Sequence, residues 1–125
     1  MLFRSTTIAV RMSTDILAME DRELAQAISF IRQHVNRALT VEQVVETVAV
    51  SRRNLERRFQ KVLGRSIYAE IRRVRVDEIA RLLVETNLPI SRIAYTLGFA
   101  GVHNLSRVFR KEKGMSPLAY REANA

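Results

Sequence analysis

Cationic side chains recur at helical spacing in the middle of this chain. Arg53, Arg57 and Lys61 follow one another every four residues, while Leu55 and Phe59 lie between them. At about 100° per residue, the three cations fall on the side of a helix opposite the two apolar side chains. Guanidinium and ammonium groups collected on one helix face attract polyanions, and nucleic acid is the leading candidate. A solvated helix face is the alternative explanation.

The segment that carries these cations occurs twice. Residues 54–69 recur as residues 104–119, with eight of the sixteen paired positions identical. Such a repeat indicates one small unit that has been duplicated. In the second copy, Leu105 and Phe109 again form an apolar face, and the cations on its other faces are Arg107, Arg110 and Lys111. A serine N-cap at Ser51 and glycine C-caps at Gly64 and Gly114 bound the predicted helices.

A shorter helix and a tight turn precede each copy. We predict these helices at residues 40–48 and 90–97, with a capping box formed by Thr40 and Gln43. The valine-rich run at 44–50 also fits a strand, but valines spaced i, i+3, i+4, i+7 favour a helix. The copies are offset by 49 residues before the turn and 50 after it, so the second turn is one residue longer. Helix, turn and basic helix is the helix-turn-helix pattern, whose second helix enters the DNA major groove.

The remaining pattern is also helical. Asp21 is predicted to cap an amphipathic helix, Ser66 a long helix to about Thr86, and Ser116-Pro117 a final short helix. Twenty residues of helix span about 30 Å, close to the ~34 Å turn of B-DNA. The sequence predicts an all-α fold of about seven helices, with two helix-turn-helix subdomains joined by a long helix. The predicted parts are a linker or remnant of a sensor domain (1–20), the first subdomain (21–65), the connecting helix (66–86) and the second subdomain (87–122).

Several side chains have two interpretations at this stage. Arg72, Arg73 and Arg75 near the start of the long helix either contact phosphate or are solvated. Tyr68 is expected in the core or at its rim rather than as a base-stacking platform, and Phe99 is expected in the core. Tyr120 is expected to pack the last helix back onto the rest.

Composition excludes several classes of function. The net charge is +8, and residues 51–75 alone hold nine basic and two acidic side chains. There is no cysteine and no apolar run near the ~20 residues that span a bilayer. His34 has no second ligand in register. We therefore expect a cytoplasmic protein with no metal, cofactor, membrane contact or enzymatic activity.

The residues of both copies resemble a known family. Ser51-x-x-x-Leu55-x-Arg57-x-Phe59, Gly98-Phe99 and the run from Arg107 to Arg121 are similar to the AraC/XylS family of bacterial transcription regulators. The resemblance covers about residues 21–122 and implies a seven-helix DNA-binding domain. Residues 13–18 and 30–31 are similar to the junction in xylose-operon regulators, which carry a sugar-sensing domain upstream. Because 125 residues leave no room for that domain, the chain is expected to be a fragment or to lack its sensor.

The resemblance also implies which residues contact DNA. The base-contacting residues it implies are Arg53, Glu56, Arg57, Val102, His103, Ser106 and Arg107. The phosphate-contacting residues it implies are Ser51, Arg52, Asn54, Lys61, Asn104, Arg110 and Lys111. The alternatives are surface salt bridges for Arg57 and Arg107, simple exposure for His103, and local capping for the two asparagines. Ala49, where glycine is common, and Ala-Gly-Val-His at 100–103 depart from the family pattern.

The expected function is sequence-specific binding of double-stranded DNA for transcription control, with activation favoured over repression. RNA polymerase is a possible partner, and a sugar effector is expected only if a sensor domain is missing from this chain. The alternative is a basic helical adaptor that binds protein or RNA.

Overall fold

The computed structural model describes residues 21–125, and every regular element in that part of the chain is a helix. In chain order the helices are α1 (Arg22–Gln33), α2 (Val41–Val45), α3 (Arg52–Leu63), α4 (Ile67–Glu85), α5 (Ile90–Thr96), α6 (Val102–Lys113) and α7 (Pro117–Ala123). The predicted all-α class is confirmed, and so is the predicted number of about seven helices for residues 21–125. The predictions made for residues 1–20 lie outside the described residues.

Side-chain caps set four of the helix starts where the sequence predicts them. Asp21 Oδ1 accepts from the Leu24 N–H at 3.1 Å. Ser51 and Ser116 hydroxyls accept from N–H groups three residues on, each at 3.1 Å. The capping box is present too, because the Gln43 N–H donates to Thr40 Oγ1 while the Thr40 N–H donates to Gln43 Oε1. These caps satisfy backbone donors that have no partner inside their own helices.

Helix α2 is shorter than the sequence predicts. It ends at Val45 rather than Val48, because the N–H groups of Thr47 and Val48 donate three residues back rather than four. The Thr47 hydroxyl also donates to the Val44 carbonyl at 2.7 Å. These bonds tighten the chain into a turn. The strand alternative for this run is wrong.

The chain forms two compact units. The first consists of residues up to Phe30 together with Thr40–Ile67, and the second of Ile31–Leu39 together with Tyr68–Ala125. The division of the sequence into subdomains given above stays a prediction. Buried in the described part of the first unit are Leu24, Ala27, Ile28, Val41, Val44, Leu55, Phe59 and Ile67.

The second unit has its own core. Nine buried residues form it: Val76, Ile79, Ala80, Leu83, Ile93, Ala94, Leu97, Leu105 and Phe109. Phe99 and Tyr120 pack against this core as predicted, and the Tyr120 ring meets Phe109 edge-on with centroids 5.3 Å apart. Tyr68, expected in the core or at its rim, is 60% exposed and is therefore not a core residue.

Gly98 forms the turn between α5 and α6 and satisfies two constraints at once. Its φ of +76° is in the left-handed region, where a β-carbon is unfavourable. A Cβ there would also lie 3.2 Å from the Arg37 Cα and 3.3 Å from the Ala38 nitrogen. Gly64, at the end of α3, has a similar φ of +73° but nothing within 4 Å of its Cβ position.

We expect Gly98→Ala to lower the free energy of unfolding more than Gly64→Ala does. Both variants have the left-handed cost of about 1–2 kcal/mol. Gly98→Ala adds a clash with backbone atoms, for which overpacking costs of about 1–3 kcal/mol are typical. Urea unfolding followed by circular dichroism measures the difference. Equal losses in the two variants would show that the contact with residues 37–38 carries no strain.

Candidate nucleic-acid interface

Helices α3 and α6 expose matching faces. From residue 52 to residue 64, each position has the same degree of burial as the position fifty residues later. Leu55, Phe59, Leu105 and Phe109 are all fully buried. The repeat seen in the sequence is therefore a structural repeat, and both helices expose the same set of positions.

The outward face of α3 is cationic. Arg53, Arg57 and Lys61 are exposed. Among residues 21–125, none of these three side chains forms a hydrogen bond or an ion pair. The salt-bridge alternative for Arg57 therefore finds no partner in the described part of the chain, and this guanidinium is available for a ligand.

The outward face of α6 has a different composition. Val102 is 41% exposed, and His103 and Arg107 are exposed beside it. The last turn adds Arg110 and Lys111, both exposed. No partner for Arg107, Arg110, Lys111 or His103 occurs within the described residues. This helix combines an apolar and neutral N-terminal part with a cationic remainder.

Three other predicted contact residues on the first unit already have partners. The Ser51 hydroxyl caps α3 by accepting from Asn54. Arg52 forms a 2.5 Å ion pair with Glu42, in which both side chains are more than half exposed. Such a surface pair contributes about 0–1 kcal/mol, so it would yield easily to a phosphate. Asn54 Oδ1 accepts from Arg58 Nε at 2.7 Å, which supports the local role considered for this asparagine.

Arg58 holds α3 in place, a role that the sequence did not reveal. Its Nη1 lies 2.7 Å from Asp21 Oδ1 and 3.6 Å from Glu23 Oε1. Asp21 and Glu23 lie at the start of α1, so this pairing fixes α3 against α1 within the first unit. The second copy has Val108 at the equivalent position, and there the last turn of α6 is fixed instead by Glu112 and Lys113, which pair with Arg72 and Asp77 on α4.

Glu56 also has a partner. Its Oε1 accepts from the N–H of Ile67 at 3.1 Å, and the side chain is half-buried. This carboxylate therefore joins α3 to the first residue of α4. The base contact predicted for Glu56 stays a prediction.

The arginines early in α4 have internal partners, a role that neither alternative for them included. Arg72 Nε lies 2.6 Å from Glu112 Oε2, and its guanidinium lies over the Tyr68 ring. Arg73 donates through two nitrogens to Glu70, which is 1% exposed, and through a third to Asp77. The hydrogen bond with Glu70 raises the pKa of Arg73. These cations stabilise the second unit.

Arg75 stabilises the turn of the second helix-turn-helix. It donates to the carbonyl oxygens of Val35 and Leu97, and its guanidinium carbon lies 4.1 Å from the Phe99 ring centroid. Burial lowers the pKa of this group. The sequence held a signal for this role, because Arg75 lies four residues from both Ile71 and Ile79 on the buried stripe of α4.

The described residues show neither the pattern of a metal centre nor that of a membrane span. No group of three or more His, Cys, Asp or Glu side chains in residues 21–125 could hold a metal ion. None of the helices in that range is long and apolar enough to cross a membrane. The fold and the two exposed basic helices define a helix-turn-helix protein with a duplicated recognition helix.

Comparisons with known proteins give the family. Residues 44–123 match a family model described as a helix-turn-helix domain. The chain is 34% identical over 115 residues to the xylose operon regulatory protein of Escherichia coli K12, covering 92% of this chain and 29% of that protein. It is 33% identical over 97 residues to the multiple antibiotic resistance protein MarA of the same organism, covering 78% of this chain and 76% of MarA.

Solved structures agree. The xylose-binding transcription activator xylR matches with a TM-score of 0.75 and 33% identity, over 83% of this chain and 27% of that one. The DNA-binding domain of the global transcriptional factor AdpA, in complex with a target DNA, matches with a TM-score of 0.73 and 29% identity, over 79% and 89%. The chain belongs to the AraC/XylS family of helix-turn-helix transcription regulators. It spans less than a third of the length of the xylose operon regulatory protein.

Replacing Arg75 and Arg57 by alanine should separate a structural arginine from an interface arginine. Arg75→Ala removes two hydrogen bonds to carbonyl groups and a cation–π contact, so we expect the free energy of unfolding to fall by about 2–4 kcal/mol. Arg57→Ala removes no contact among the described residues and should change it by less than about 0.5 kcal/mol. Chemical denaturation of both variants provides the comparison, and a large loss for Arg57→Ala would mean that Arg57 has a structural partner after all.

Proposed function

We propose that this chain binds double-stranded DNA in a sequence-specific manner and regulates transcription, as an activator. The observation that carries the proposal is a pair of matching helices on which exposed cations, among them Arg53, Arg57 and Arg107, have no partner within the described residues. Because these cations do not contribute to the two cores, their positions are explained by a polyanionic ligand. The family supports this ligand, since it consists of DNA-binding regulators rather than enzymes, and AdpA has been solved on its target DNA.

Base recognition is assigned to side chains in the first two turns of each recognition helix. On α3 these are Arg53 and Arg57, whose guanidinium groups suit guanine O6 and N7 in the major groove. On α6 the proposed set is Val102, His103, Ser106 and Arg107, in which Val102 suits a thymine methyl group. The two recognition helices contact two adjacent segments of the major groove.

Phosphate contacts surround these base-reading positions. Lys61, Arg110 and Lys111 are exposed cations on the later turns of the two helices. Arg52 would exchange Glu42 for phosphate, and Ser51, Asn54 and Asn104 add polar groups near the helix N-termini. A helix N-terminus attracts phosphate through its free N–H groups, so these positions suit a contact that fixes the orientation of the protein on the duplex.

The proposed role in transcription also implies partners other than DNA. We propose RNA polymerase as the partner through which activation occurs, and the cytoplasm as the location. A sugar effector would bind only to a part of the protein beyond residues 1–125. The alternative, a basic adaptor for RNA or protein, predicts no preference for duplex over single-stranded DNA.

Selection of binding sites from a random duplex library at about 0.15 M salt tests the proposal directly. We expect enrichment of a bipartite site whose halves lie about one helical turn apart. A single half-site would limit base reading to one recognition helix. Absence of any enriched sequence, together with equal affinity for single strands, would favour the adaptor.

Two exposed cations of α3 provide a matched pair for the next measurement. Arg57→Ala should relax the preference at one base pair, by about 1–3 kcal/mol. Lys61→Ala removes the same charge but should weaken all sequences alike, with the slope of log affinity against log salt falling by about 0.9. Titrations of the selected site and its single-base variants at several salt concentrations distinguish the two effects. If both variants weaken all sequences equally, Arg57 contacts phosphate only.

A further inference from the structure

The two recognition helices differ at one equivalent position in a way that changes what each can read. Glu56 on α3 corresponds to Ser106 on α6, fifty residues later. Glu56 Oε1 accepts from the backbone N–H of Ile67 at 3.1 Å. Since α3 ends at Leu63 and Gly64 reverses the chain, this bond ties the segment that leaves α3 back to the second turn of that helix.

The second copy cannot make this bond. The residue equivalent to Ile67 is Pro117, and proline has no backbone N–H. Ser106 therefore has no donor to accept from at this place, and within residues 21–125 its hydroxyl has no hydrogen-bond partner. The start of α7 is capped by Ser116, whose hydroxyl accepts from the Ala119 N–H.

From this contrast we infer that Glu56 positions the recognition helix α3 and reads no base, whereas Ser106 is free to contact DNA. Three features support the assignment. The carboxylate accepts a hydrogen bond from its own chain, at the N–H of Ile67. Because Glu56 accepts from the first residue of α4, its carboxylate also lies near the positive N-terminal end of the α4 dipole. An unpaired carboxylate on a DNA-facing surface would be repelled by phosphates, and the bond to Ile67 gives it a partner instead.

The consequence for DNA recognition rests on the proposed function, whereas the hydrogen bond between Glu56 and Ile67 does not. It means that specificity in the first half-site comes from Arg53 and Arg57 without the cytosine preference that a base-reading glutamate would add. The second half-site gains a contact from Ser106, which tolerates several bases because a hydroxyl both donates and accepts.

The test compares Glu56→Gln, Glu56→Ala and Ser106→Ala. Gln retains an oxygen that can accept from Ile67, so we expect its Tm within about 2 °C of the parent and unchanged base preferences. Glu56→Ala loses a capping-type bond and should lower Tm by about 4–8 °C. At a temperature where all variants are folded, Glu56→Ala should also weaken the selected site about 3–10-fold at every single-base variant alike, without changing affinity for random duplex. Ser106→Ala should leave Tm unchanged and alter affinity only through the second half-site.

The contrary outcomes are distinct. A change in preference at one base pair in Glu56→Gln, with Tm unchanged, would show that Glu56 reads a base and overturn the inference. An unchanged Tm in Glu56→Ala would show that the hydrogen bond to Ile67 does not stabilise the fold. A lowered Tm with full affinity for the selected site would show that Glu56 stabilises the fold without positioning α3 on DNA. If the parent chain selects no DNA sequence, the proposed function fails, yet the Tm comparison still decides whether the hydrogen bond between Glu56 and Ile67 stabilises the fold.

Discussion

The burial of one face of each recognition helix is the constraint on which the rest of the structure depends. Leu105 and Phe109 are four residues apart, so both point into the same core. Arg107 lies two residues from each of them, about 200° around the helix, and must face outward. The same relation holds for Arg57 between Leu55 and Phe59. The packing that buries one face of each helix therefore also directs these arginines outward.

The basic side chains of the protein fall into two groups, those with partners inside the fold and those without. The net charge of +8 includes arginines whose side chains are bonded within the protein. Arg75 joins two loops through their carbonyl groups, and Arg121 donates to the carbonyls of Leu83 and Thr86 where α4 ends. Arg58 and Arg72 pair with carboxylates of neighbouring helices. The cations opposite the buried leucine and phenylalanine pairs, by contrast, have no partner within residues 21–125.

Duplication has kept the architecture while changing how each copy is held together. The first copy fixes its recognition helix with Arg58 and Glu56; the second has Val108 and Ser106 at those positions and relies on ion pairs of Glu112 and Lys113. The second turn needs Gly98 because of a positive φ and a close backbone approach, whereas the first has Ala49 at the corresponding place. Two copies with equal exposure patterns are therefore held in place by different contacts.

The sequence by itself determined most of the helices, because their signals are local. Caps at Asp21, Thr40, Ser51 and Ser116, glycine at Gly64 and Gly114, and the leucine-phenylalanine spacing all act within a few residues of one another. The same periodicity placed the outward cations of α3 and α6 correctly. Their contacts with DNA stay predictions, because no pattern in a single chain records a ligand.

Only the tertiary structure decided which charged side chains are engaged. Arg72 finds Glu112 forty residues away, Arg75 finds carbonyls of two loops, and Glu56 finds the N–H of Ile67 across the glycine turn. The sequence also did not predict that α2 ends at Val45. Helix and turn differ there only in whether the following N–H groups donate to the carbonyl four or three residues back. Such pairings depend on distances between segments that the fold alone brings together, and the identity of a charged residue does not reveal them.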